Sequence, residues 1–151
     1  MNIINKMNII NKLNKKMAIT ISLIIVIINI YLFNILVVLD ITSSIWTTII
    51  ISILIGLNSE LKSISKCLLI YGAIAIIDIG SRLFGSPNDS LDLAWMNLIL
   101  LVESFTAYII LAFGVYKKTK DIKLNKWIAL AIFPLVIIIH LFLFSELGVY
   151  K

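Results

Sequence analysis

Five apolar runs broken by short polar stretches leave this chain few folds to choose from: Met17–Leu39, Ile41–Leu57, Cys67–Phe84, Leu93–Tyr116 and Trp127–Leu147. A helix rises about 1.5 Å per residue, so roughly 20 apolar residues cross a hydrocarbon core. The first, fourth and fifth runs, of 23, 24 and 21 residues, reach that length; the second and third, of 17 and 18, sit at the short end. Residues 17–57 as one helix would extend roughly 60 Å, twice the core thickness. The chain must therefore turn between the first two runs, and Asp40-Ile41-Thr42-Ser43-Ser44 supplies the charge and capping hydroxyls for it. The pattern predicts an all-α fold: a polytopic integral membrane protein built as a bundle of five transmembrane helices.

Charge orients the bundle. Of 13 Lys and Arg, 11 lie before the first run, between the second and third, or between the fourth and fifth. Only Arg82 and Lys151 fall on the other side. Basic residues in short loops stay cytoplasmic, so the amino terminus is expected inside and the carboxyl terminus outside. Trp46, Trp95 and Trp127 lie near run ends, where aromatic belts form. A hydrophobic content of 61% and only 14% charged residues exclude an ordinary soluble domain. Isoleucine alone supplies 34 residues, the mark of an AT-rich and hence prokaryotic genome. The expected location is a prokaryotic cell membrane, with lipids as partners.

Two parts follow from this threading. Residues 1–16 form a basic cytoplasmic segment, and residues 17–151 a single transmembrane helical domain. The segment repeats itself, MNIINK at 1–6 recurring at 7–12. That repeat reads either as an interfacial amphipathic helix or as a coding duplication, with Met1, Met7 or Met17 as the start. The first run is too long for a signal-peptide core and lacks a small-x-small cleavage site, so it reads as a retained helix.

Ionisable side chains inside a bilayer are costly and face the bundle interior. Four stand within the runs, Asp78, Arg82, Glu103 and His140, joined by the amides Asn29 and Asn34. From the rise per residue, Arg82 lies about 3 Å, Asn34 about 8 Å, Asp78 about 9 Å, His140 about 10 Å, and Glu103 and Asn29 about 15 Å below the outer ends of their helices. All share the outer half, where they are placed to form one outward-facing polar pocket. Asp78 and Arg82, at i and i+4 in the favoured order, read first as an intrahelical ion pair. Glu103 has no basic residue one turn away, so it is expected protonated and hydrogen-bonded to another helix, or paired across helices with His140 or Arg82. His140, the only histidine, reads as a packing residue.

No Walker loop, dinucleotide glycine pattern or HExxH occurs. A single cysteine, Cys67, allows neither an internal disulfide nor a cysteine metal cage. No cofactor, metal or nucleic acid is expected. The sequence reading favours a non-catalytic subunit or accessory and assembly component of a larger membrane complex, with other subunits or further copies as partners. The alternatives are a small proton- or ion-coupled transporter using Glu103, Asp78, Arg82 and His140, and an intramembrane enzyme acting on a lipid.

Overall fold

The computed structural model describes residues 14–35, 40–85 and 90–147, with no side chains for 32–35, 40–42, 85 and 90. The MNIINK repeat of residues 1–12 lies outside the described residues, as does the side chain of Asn34. Five helices are present: α1 (Lys15–Ile35), α2 (Asp40–Gly56), α3 (Ser63–Gly85), α4 (Ser90–Lys118) and α5 (Lys123–Phe144). No strand occurs among the described residues.

Among the described residues three helices, not the five expected, are long and apolar enough to cross a membrane: Ser63–Phe84, Leu91–Lys118 and Lys123–Phe144. The expectation of five spans is met by three helices among the described residues. The apolar part of α2 among the described residues is Ser43–Gly56, which extends roughly 21 Å against a core of about 30 Å. The expected turn at Asp40–Ser44 is instead the first turn of α2. Other ends shift too. The helix expected to start at Cys67 starts at Ser63, and the one expected from Trp127 starts at Lys123. The N-cap of α5 is Ile122, which makes no side-chain cap bond.

The third helix is the hub, packing against α1, α2, α4 and α5. Its inward face carries Cys67, Ile70, Ile74 and Ile77, all at most 2% exposed, a helical stripe along one side. Leu100, Ala107, Leu111 and Val115 of α4 and Phe133 and Ile137 of α5 join this core, with Val26 of α1 and Ile51 and Ile55 of α2. Outward faces are apolar as well: Phe142 is 86% exposed and Phe105 68%. A solvent of hydrocarbon makes that arrangement stable, since lipid tails are as apolar as the core itself.

Polar bonds join the helix ends at one pole. Asn14 caps α1, accepting from the Lys16 N–H at 3.1 Å, and the Lys15 N–H donates to Glu60 at 2.9 Å in the α2–α3 link. The Ser63 N–H opening α3 donates to Asp121 at 2.6 Å, in the α4–α5 link. The same pole therefore gathers Lys15, Lys16, Lys62, Lys66, Lys117, Lys118, Lys120, Lys123 and Lys126. Arg82 lies towards the opposite pole, beside Ser145 at the end of α5.

Candidate functional site

The polar residues that the sequence places together divide into two groups. The first is built on Asp78, one turn before Arg82 on α3. Its Oδ2 accepts from Arg82 Nε at 2.8 Å and meets His140 Nε2 of α5 at 2.9 Å. Arg82 also donates from Nη2 to Asn97 Oδ1 of α4 at 2.8 Å and from Nη1 to the Ser145 carbonyl at 3.1 Å. Every member of the triad is buried: Arg82 at 0% exposure, His140 at 1% and Asp78 at 6%. With Asp78 accepting, Nε2 carries the hydrogen of the His140 bond; Nδ1 is buried without a partner. The imidazole stands edge-on to Tyr71 and 4.8 Å from the Phe144 ring. The network thus ties α3, α4 and α5 together towards the pole opposite the lysines.

The second group lies between α2 and α4. Glu103, 3% exposed, takes a hydrogen bond from Thr48 Oγ1 at 3.1 Å and a second from Ser44, one turn earlier on α2. Its Oε1 is buried with no partner. Neither His140 nor Arg82 pairs with Glu103, contrary to one of the two sequence expectations; both bond Asp78 instead. Glu103 and Asp78 still lie close enough to interact electrostatically. Beside this group, Asn29 of α1 donates to Thr47 Oγ1 at 2.9 Å. The single outward pocket is therefore replaced by interhelical bonds. The two apolar grooves in the bundle wall are lined by other residues. Among the described residues, no group of three or more His, Cys, Asp or Glu comes together to hold a metal ion.

A third node sits at the basic pole. Lys66, counted by sequence among the loop charges, lies inside α3 at 0% exposure. Its Nζ donates to the Gly56 carbonyl at 2.8 Å, to Thr119 Oγ1 at 2.7 Å and to the Gly114 carbonyl at 3.4 Å. A buried cation here satisfies carbonyls at the carboxyl ends of two helices, where the helix dipole favours it. Ser63-Ile64-Ser65-Lys66 has the Ser–x–x–Lys spacing of some acyl-transfer enzymes. The two side chains are not hydrogen-bonded, because Ser63 Oγ has no partner and Lys66 turns to the carbonyls.

Beneath this node, α2 and α4 touch backbone to backbone at Gly56 and Gly114. Ser44, Thr48, Ser52 and Gly56 recur every fourth residue of α2, all buried. Small residues at that spacing let two helices approach closely in lipid. This stripe is legible in sequence as small-x-x-x-small; Asn97 and Thr119 carry no comparable signal.

Asp121 closes the α3 amino end, and the Ser63 N–H, followed by Lys62 and Lys126, holds its carboxyl below the usual range. A depressed carboxyl contributes stability above its unfolded pKa, about 3.9, and loses it as pH falls through the folded value. Unfolding of wild type and Asp121→Asn followed from neutral pH to about pH 3 should show an advantage for wild type that fades at the acid end. A pH-independent difference would contradict this role.

Compared with known proteins, the chain matches no family model, no curated protein and no solved structure. Fold and packing alone therefore define its class: a small all-α protein with, among the described residues, three helices long and apolar enough to cross a membrane.

Proposed function

We propose that this chain is a non-catalytic integral membrane protein, a subunit or accessory and assembly component of a larger membrane complex. The supporting observation is the disposition of its ionisable groups. Asp78, Arg82 and His140 are committed to one another, and Lys66 to helix carbonyls. The surface left to meet other molecules is a set of apolar helix faces and one basic pole. That pole faces the cytoplasm in this reading, since short basic loops are retained there; α1 and α2 pack beside the three longer helices within the same bundle. The setting proposed is a prokaryotic plasma membrane. Purification of the full chain in mild detergent tests the reading. A defined complex or co-purifying membrane protein is expected, and a monodisperse monomer alone would count against it.

One observation favours a second reading, a small ion-coupled transporter: the unpartnered Oε1 of Glu103 deep in the bundle. Glu103→Gln keeps the side-chain shape and the Thr48 contact but removes the ionisable proton. Loss of a proton or cation flux in reconstituted vesicles, with the fold retained, would favour transport; no flux in wild type would remove it.

A further inference from the structure

A slot of about 150 Å³ runs between α1 and α3. Ile19, Leu23 and Val26 of α1 form one wall, and Leu69, Gly72 and Ile76 of α3 the other. Both helices start at the lysine pole, so the slot descends from it, over about 10 Å of the axis from Ile19 to Val26. Gly72 keeps it open. A glycine inside a helix weakens that helix, yet a Cβ here would meet nothing within 4 Å, so no neighbouring helix requires its absence. Ser22, the hydroxyl of the lining, donates to the Ala18 carbonyl at 2.8 Å and selects no ligand. What distinguishes the slot is the charge at its mouth.

Lys15 and Lys16 stand one turn before it. Lys15 shares a helix face with Ile19 and Val26, at i+4 and i+11, and Lys16 with Ile19 and Leu23, at i+3 and i+7. Helical side chains lean towards the amino terminus, so both ammoniums extend from the mouth towards the pole. The Lys15 N–H is bonded to Glu60 at 2.9 Å, which brings exposed Lys62, two residues further on, to the same rim. Lys15 and Lys16 are exposed and form no salt bridge among the described residues, so positive charge at the rim exceeds that of Glu60.

Width and charge together choose the occupant. A slot of this volume and length is narrower than a helix, which is about 10 Å across, whereas a single hydrocarbon chain lies in it lengthwise. The same molecule must carry a negative group one turn nearer the pole, at the headgroup level, where lysines attract anionic lipids. An anionic phospholipid has both parts in that order.

We propose that the α1–α3 slot holds one acyl chain of an anionic phospholipid whose phosphate sits among Lys15, Lys16 and Lys62. This rests on the membrane setting proposed above and not on the subunit role. The full chain in neutral detergent is titrated with dioleoylphosphatidylglycerol and with dioleoylphosphatidylcholine, which has the same chains and no net charge. Glycerol phosphate, which has the anion and no chains, is the third arm. The first is expected to raise the unfolding temperature with its concentration, as a ligand of the folded state does, and the other two are not. Lys15→Gln with Lys16→Gln should weaken phosphatidylglycerol binding about thirtyfold, the usual worth of two lysines near an anionic surface. Lys117→Gln with Lys118→Gln removes equal charge from the same pole at the end of α4 and should leave binding unchanged. Gly72→Leu fills the slot without touching a lysine or colliding with a neighbour, and should abolish the shift. Equal losses from the two lysine pairs, or a shift untouched by Gly72→Leu, would overturn the proposal. An equal shift from glycerol phosphate would overturn it in favour of a free phosphate site. Equal stabilisation by both lipids would remove the site and leave the membrane setting standing. None of these readouts depends on co-purification, so failure here does not touch the subunit reading.

Discussion

Asp78→Ala is expected to destabilise the bundle by about 3–5 kcal/mol, the cost of breaking a buried ion pair from one side. The carboxylate oxygen that is lost serves two partners, Arg82 Nε at 2.8 Å and His140 Nε2 at 2.9 Å. Arg82 has no route to water at 0% exposure, and its bonds to Asn97 and Ser145 provide dipoles but no countercharge. Asp78→Asn keeps the shape and one acceptor while removing the charge, so its loss should be smaller. The double replacement Asp78→Leu with Arg82→Met should recover most of the stability, because a buried pair roughly balances its own desolvation. Reversible unfolding in mixed micelles measures all three. A loss below about 1 kcal/mol in Asp78→Ala would show that the pair is solvated. Since the network joins α3, α4 and α5, protection of α5 amides against hydrogen exchange should fall in the same variant.

Gly114→Ala carries the second large effect. A Cβ at Gly114 would collide with the Gly56 carbonyl oxygen, and a backbone atom cannot turn aside as a side chain does. The α2 and α4 backbones must separate, and Lys66 then loses its grip on both carbonyls. Overpacking of this kind costs typically 1–3 kcal/mol, and a weakened charge-assisted hydrogen bond adds about 1.5–3. A loss of roughly 3 kcal/mol or more is therefore expected. Gly56→Ala meets mainly a methyl of Ile110 at 3.2 Å, which can shift, so its cost should stay near 1 kcal/mol. Combining Gly114→Ala with Lys66→Met should add little to Gly114→Ala alone, because both act on one contact. Equal losses from the two glycine variants would argue against the close approach.

The particulars of these two nodes explain how far the sequence could be read. The Asp78–Arg82 pair was visible because both residues sit one turn apart on a single helix. That His140 completes it was not, since which helices neighbour one another depends on packing rather than spacing. Glu103 was legible as a buried acid in need of a partner. The actual partners, Ser44 and Thr48, lie on a helix of 17 residues whose hydroxyls looked like turn and capping groups. Lys66 misled most. A lysine three residues into a helix after a polar link reads as a loop charge, and only the convergence of the Gly56 and Gly114 carbonyls makes a buried site for it.

By itself, the sequence determined the solvent, the helices and the gathering of basic residues at one pole, because each depends on local composition and rise per residue. Tertiary structure alone decided that α3 is the hub. It also decided that the polar residues split into a triad, a hydroxyl-bound acid and a buried lysine. The physical reason is that a charge in a low-dielectric bundle is held by whichever groups lie within about 3 Å. Those groups come from helices far apart in the chain, and no local pattern records how they pack.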